Sequence, residues 1–227
     1  MSGYSRKHLH RIKQLVEEGG YTIYNREMRK ALRYIHGIAE SNGFDDKYCI
    51  VGGIAVQLHL YKSLGRAAET IIRKTDDIDL ITERTPKGMS LYELLLRGCQ
   101  DFEYRRDVHN LKIGNVWVNV NIDESSGVPP AYFQEIIKDS CLLEIPGNKG
   151  KHVVRVISLE DLILTKLDTY VTRKKREDLE DIENLITFCK PDVNKMNERV
   201  EKYFKEKEKF MQAYKHLLEE IEKDKNE

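Results

Sequence analysis

Asp77-Ile78-Asp79-Leu80 sets two carboxylates at alternate positions of a segment with strand character. Alternate side chains of a strand share a face, so Asp77 and Asp79 project together while Ile78 and Leu80 enter the core. Two like charges held this close repel, and taking them out of water costs several kcal/mol unless a positive charge lies between them. A hard divalent cation meets that need, and Mg²⁺ favours carboxylate oxygen together with substrate phosphates. Upstream, Tyr48-Cys49-Ile50-Val51 reads as a short buried strand. Gly52-Gly53 breaks it, and a helical pattern follows at Ala55, Leu58 and His59. Glycine backbone can be approached closely, and the free N–H groups of a helix N-terminus favour phosphate. A phosphate cradle this near a carboxylate pair points to nucleotide chemistry.

These residues carry a resemblance. Gly52-Gly53, followed by Arg73-x-Thr75-x-Asp77-Ile78-Asp79-Leu80, resembles the signature of the polymerase β-like nucleotidyltransferase superfamily. It is closest to the small prokaryotic branch that includes the abortive-infection toxin enzymes. The resemblance implies an α/β (α+β) fold: a nucleotidyltransferase core with a mixed sheet flanked by helices, and helical additions at both ends. It also implies transfer of a nucleoside monophosphate from a nucleoside triphosphate to an acceptor, with release of pyrophosphate. Asp77 and Asp79 would hold two Mg²⁺ ions, and Gly52, Gly53, Arg73 and Thr75 would meet the nucleotide. The acceptor, whether RNA, protein or small molecule, is left open.

In that superfamily a neighbouring strand donates a third acid. Val116 to Asp123 alternates, with Val116, Val118, Val120 and Ile122 on the buried face and Trp117, Asn119, Asn121 and Asp123 on the other. Asp123 is the only acid on the polar face and is the expected third metal ligand and proton acceptor. Asn121 or Asn119 at the position facing the metals is the alternative, and would leave the protein without its third carboxylate.

Ser158-Leu159-Glu160-Asp161 is a capping box that starts a helix. On that helix Leu159, Leu162, Ile163 and Tyr170 form an apolar stripe with Lys166 at its centre. A lysine there must find an anion. Either its head meets a structural carboxylate, or it faces the cleft and binds phosphate. The resemblance extends through Leu159 to Ile182 and implies the second role. Asp178 and Asp181, three apart on the next helix, read as structural links paired with Arg173 or Arg176.

The elements that position these groups divide the chain into four parts. Residues 1–45 form a helical arm, with helices at 4–18 and 24–41, and residues 46–157 the core. Residues 158–190 complete the cleft, and residues 191–227 make a charged helical tail that either docks on the body or makes a small oligomer contact. Within the core, Thr85 to Gly88 reads as a turn and residues 102–123 as two or three strands turning at Asn110 and Gly114-Asn115. A helix after Pro129-Pro130 then leads to a hairpin of strands at 141–145 and 152–157.

The 227 residues carry 38 basic and 38 acidic side chains, so no global nucleic-acid footprint exists. Four scattered cysteines fit reduced thiols better than a disulfide frame or zinc site. No apolar run reaches membrane-spanning length and no signal peptide is evident, so a cytoplasmic protein without a membrane partner is expected. Two rivals to the enzyme remain: a catalytically inactive relative acting as a nucleotide- or partner-binding module, and an RNA-binding protein.

Overall fold

The computed structural model describes residues 20–83, 90–98, 110–122, 130–147 and 152–224. The expected helix at 4–18, the turn at Thr85 to Gly88, the stretch 102–109 and Asp123 lie outside the described residues.

The chain order is α1 (Arg26–Ser41), β1 (Tyr48–Val51), α2 (Gly52–Leu64), β2 (Asp77–Thr82), α3 (Leu91–Gly98), β3 (Asn110–Ile113), β4 (Val116–Ile122) and α4 (Pro130–Lys138). It continues with β5 (Cys141–Ile145), β6 (His152–Val156), α5 (Leu159–Arg173), α6 (Arg176–Cys189), α7 (Val193–Tyr203) and α8 (Glu208–Asp224). A 3₁₀ turn, Gly65–Thr70, follows α2. The six strands form one mixed sheet in the order β3-β4-β2-β1-β6-β5. This is an α/β fold, one mixed sheet flanked by helices.

β2 is central because both its neighbours bury apolar side chains beside its own. Ile78 and Leu80 are fully buried, as are Ile50 of β1 and Val118 of β4. β2 runs antiparallel to β1 and parallel to β4. Asn110 is the first residue of β3 rather than a turn residue, because the reversal into β4 is made at Gly114-Asn115, where Gly114 adopts φ +60°.

α2 is apolar around its circumference, and every residue from Gly53 to Leu60 is buried. Such a helix belongs inside the molecule, and it lies between the sheet and α6. Its two buried polar side chains are both satisfied. Gln57 accepts from the Ile23 amide at 2.7 Å and donates to the Arg73 carbonyl at 2.9 Å, and the His59 imidazole meets the Ile157 carbonyl at 2.8 Å. Burial holds the His59 imidazole below its usual range, partly offset by that carbonyl.

The tail docks on the body. Met196, Val200, Phe204, Phe210, Tyr214, Leu217 and Ile221 are buried, and α7 and α8 pack on α5. Phe204 stacks on Phe210 at 4.3 Å and meets Tyr132 of α4 edge-on at 5.2 Å. Arg199, also buried, is enclosed by Asp161, Glu135 and Asp139, so one guanidinium joins α7 to α4 and α5. Among the described residues, no helix is long and apolar enough to cross a membrane.

Candidate active site

Asp77 and Asp79 point from the same face of β2, as strand alternation requires. Asp79 pairs with Val51, the last residue of β1, so it stands beside the point where the chain turns into α2. Gly52 makes that turn at φ +66°, and a Cβ placed there would lie 2.1 Å from the Asp79 carboxylate. Glycine is therefore required at this position twice over, by the backbone conformation and by the space the carboxylate occupies. Gly53 is also tightly surrounded: a Cβ would lie 3.2 Å from Thr75 and 3.5 Å from the Arg73 guanidinium. The start of α2, Thr75, Arg73 and the two aspartates thus form one contiguous cluster.

The register of β2 with β4 decides which side chain faces the pair. Asp77 lies opposite Trp117, Asp79 opposite Asn119 and Ile81 opposite Asn121. Asn119 bridges the carboxylates, its amide nitrogen donating to Asp77 at 2.6 Å and to Asp79 at 3.1 Å. Thr75 donates to the other Asp77 oxygen at 3.1 Å. The side chain facing the two aspartates is an amide. Among the described residues no third histidine, cysteine or acid joins them.

The electrostatics of the pair are unfavourable without a cation. Burial and the neighbouring Asp77 charge push the Asp79 carboxyl up to about 6, against the Asn119 hydrogen bond and the more distant Lys166 and Arg173 charges. A carboxylate raised by desolvation and a like charge is one that a metal ion would relieve. The two carboxylates on one face offer the kind of oxygen donors that a hard divalent cation takes.

Lys166 lies behind this cluster. Its ammonium is buried and contacts Asp178 at 2.9 Å and Asp181 at 2.8 Å. Asp181 also accepts two hydrogen bonds from Arg73, at 3.0 and 2.8 Å. The group is neutral, two cations against two carboxylates, and ties α5 and α6 to the loop that enters β2. Of the two partners open to Lys166, the structural carboxylate is the one it meets. Asp178 and Asp181 are links as expected, but through Lys166 and Arg73. Arg176 instead pairs with Glu180 on the surface. The reason is depth: Asp178 and Asp181 face inward on α6, whereas Arg173 and Arg176 are exposed at the turn.

Sequence reasoning missed Gln57, which fixes the Arg73 carbonyl. The available signal was a single amide within the apolar run Ile54 to Leu60.

A family model described as "Nucleotidyltransferase of unknown function (DUF6036)" matches residues 30–226. The chain is similar in fold to an antigenic nucleotidyltransferase-like protein from Paracoccidioides brasiliensis, with a TM-score of 0.56 and 20% identity over 86% of this chain and 88% of that one. ANT(2")-Ia, solved in complex with adenylyl-2"-tobramycin, aligns with a TM-score of 0.46 and 17% identity over 74% of this chain and 91% of that one. No curated protein matches the sequence.

Proposed function

Because this chain belongs to that nucleotidyltransferase family, within the polymerase β-like superfamily, we propose that it is a Mg²⁺-dependent enzyme that transfers a nucleoside monophosphate from a nucleoside triphosphate to an acceptor. The observation that carries this reading is the Asp77–Asp79 pair, packed against Gly52 and lacking an ion-paired cation among the described residues. Asp77 and Asp79 would hold the metal. Mg²⁺, when bound, supplies charge that stabilises the attacking and leaving oxygens of phosphoryl transfer. Gly52 and Gly53 let the Asp79 carboxylate and Thr75 close against the start of α2, whose first backbone amides favour phosphate. Arg73, whose side chain is 34% exposed, presents its guanidinium beside Gly53, and Thr75 orients Asp77. Lys166 acts as a positioning residue: through Asp181 it holds Arg73 in place. Asn119 fixes the spacing of the two carboxylates.

Calorimetric titration of ATP in Mg²⁺ tests the site. The natural protein binds, and the Asp77→Asn/Asp79→Asn protein does not; equal metal-dependent binding by both would sink the assignment. Incubation with each α-labelled triphosphate and Mg²⁺ in cell extract then identifies the labelled acceptor. A toxin-type role, which the resemblance to abortive-infection enzymes implies, predicts growth arrest on expression and its relief by Asp79→Asn.

One observation favours a second reading, a nucleotide- or partner-binding module without transfer: the amide of Asn119 where a third carboxylate would face the pair. Tight Mg-ATP binding with no labelled product in any extract supports it. Labelled product excludes it.

A further inference from the structure

Gly65 ends α2 at φ +58°, and the chain winds into the 3₁₀ turn Gly65–Thr70. Residues three apart in such a turn lie along one edge, so Arg66 and Glu69 project from the same edge. Two further segments close on it. Tyr24, just before α1, donates its hydroxyl to the Gly65 carbonyl at 3.2 Å and meets the Tyr61 ring edge-on at 6.0 Å. Arg29, near the start of α1, donates to the carbonyl of Pro146, just beyond β5, at 3.1 Å. Between them lies a cavity of about 160 Å³, lined by Tyr24, Arg29, Tyr61, Arg66, Glu69 and Pro146. Gly65 stands at the far end of α2 from Gly52, about 20 Å away, so this cavity is separate from the carboxylate cleft.

The charges around the cavity are of both signs and stay apart. Arg66 and Glu69 share an edge, yet neither they nor Arg29 makes an ion pair among the described residues. Arg29 gives one guanidinium N–H to Pro146, and its other donors have no partner there. Two guanidinium groups and one carboxylate therefore face one small space without neutralising each other. A ligand that satisfies all three carries a carboxylate and a cation together, and the tyrosine rings add a wall against which a cation is favoured. Volume limits its size. A cavity of about 150 Å³ holds one benzene molecule, and drug-sized ligands need roughly 300 Å³ or more. A nucleotide is too large for this space, whereas an amino acid with a short side chain fits it.

We propose that this cavity binds a short α-amino acid as its zwitterion, the carboxylate meeting Arg29 and Arg66 and the ammonium meeting Glu69. Contacts between guanidinium and carboxylate are charge-assisted and frequently bidentate, so the arginine end orients the ligand as well as attracting it. The site uses neither Mg²⁺ nor a nucleotide and is independent of the nucleotidyl-transfer reading.

The test titrates glycine, alanine, serine and threonine into the full chain and into Arg66→Ala and Glu69→Gln variants, with acetate, methylammonium and inorganic phosphate as separate probes. Arg66 is exposed and Glu69 partly so, and an unchanged melting temperature confirms that each variant folds. At least one of the four amino acids binds the natural protein, about tenfold or more tighter than acetate or methylammonium, because only the zwitterion engages both ends of the site. Arg66→Ala weakens that amino acid about tenfold. Glu69→Gln weakens it by a similar factor but leaves acetate binding no weaker, a split that a merely structural role for Glu69 does not produce. A natural protein that binds none of the amino acids, affinities unchanged in both variants, or phosphate bound more tightly than every amino acid overturns the site. Mg-ATP takes no part in these titrations, so failure of the transfer reading leaves their outcome unchanged.

Discussion

Asp77 and Asp79 stand two residues apart on a strand with no ion-paired cation among the described residues, whereas Asp178 and Asp181 stand three apart on a helix and hold two. Both pairs bring like charges together out of bulk water. In the helical pair Lys166 and Arg73 cancel the charge, and the result is a rigid brace between α5, α6 and the loop before β2. In the strand pair an amide and a hydroxyl supply hydrogen bonds but no charge, and Asp79 remains raised to about 6. The comparison teaches where to look for chemistry in a chain with many carboxylates. A neutralised pair is scaffold, while a pair left short of positive charge is poised for a ligand that brings it.

The largest expected effect comes from unbalancing the brace. Asp181→Ala strands Lys166 and Arg73 with one carboxylate fewer, and Lys166→Met leaves Asp178 without its cation. Breaking a buried pair on one side typically costs about 3–5 kcal/mol. Urea unfolding of both variants measures this, and Lys166→Met with undiminished stability would break the comparison.

The strand pair is expected to respond with the opposite sign. The folded value of Asp79, about 6, lies above its ordinary 3.8. The stability contributed by its neutral form is therefore complete below pH 3.8 and is lost as pH rises through 6. Asp79→Asn removes that loss, so the metal-free protein gains about 1–3 kcal/mol at pH 8 and nothing near pH 4. Unfolding at both pH values in the presence of a chelator checks the sign. Because the metal needs the ionised carboxylate, Mg²⁺ binding tightens as pH rises through 6.

Asn119→Asp sharpens the comparison by adding a third charge where an amide now donates to both aspartates. The metal-free protein loses about 1–2 kcal/mol, and Mg²⁺ then raises its melting temperature more than that of the natural protein. A thermal-shift series with and without Mg²⁺ measures both effects, and gained transfer activity would favour the non-catalytic reading of the natural chain. The smallest effect is at the surface. Arg176→Ala removes an exposed pair with Glu180 and shifts stability by less than about 0.5 kcal/mol in the same urea assay.

Much of this was legible along the chain. The alternation Asp77-Ile78-Asp79-Leu80 fixed which groups share a face, and Gly52-Gly53 marked the turn from β1 into α2. Ser158 does accept from the Asp161 amide, at 3.2 Å, as its capping box requires. The apolar edges of the tail, from Met196 to Ile221, gave the face that packs. Each of these follows from the geometry of one element, in which neighbours along the sequence remain neighbours in space. The partners of the charged groups were less legible. Lys166 was recognisable as a buried lysine, yet its own helix could not say whether a carboxylate or a phosphate would meet it.

The sequence by itself determined the carboxylate pair, the glycine turn and the need for a positive charge between them, because these depend on strand alternation and on the lack of a Cβ. Only the tertiary structure decided that Asn119 faces the pair, since a strand carries no mark of its register and Asn121 alternates just as well. Only the tertiary structure joined Arg73 to Asp181, 108 positions away. Buried charges choose partners by distance and depth in the folded chain, and separation along the sequence does not limit that choice.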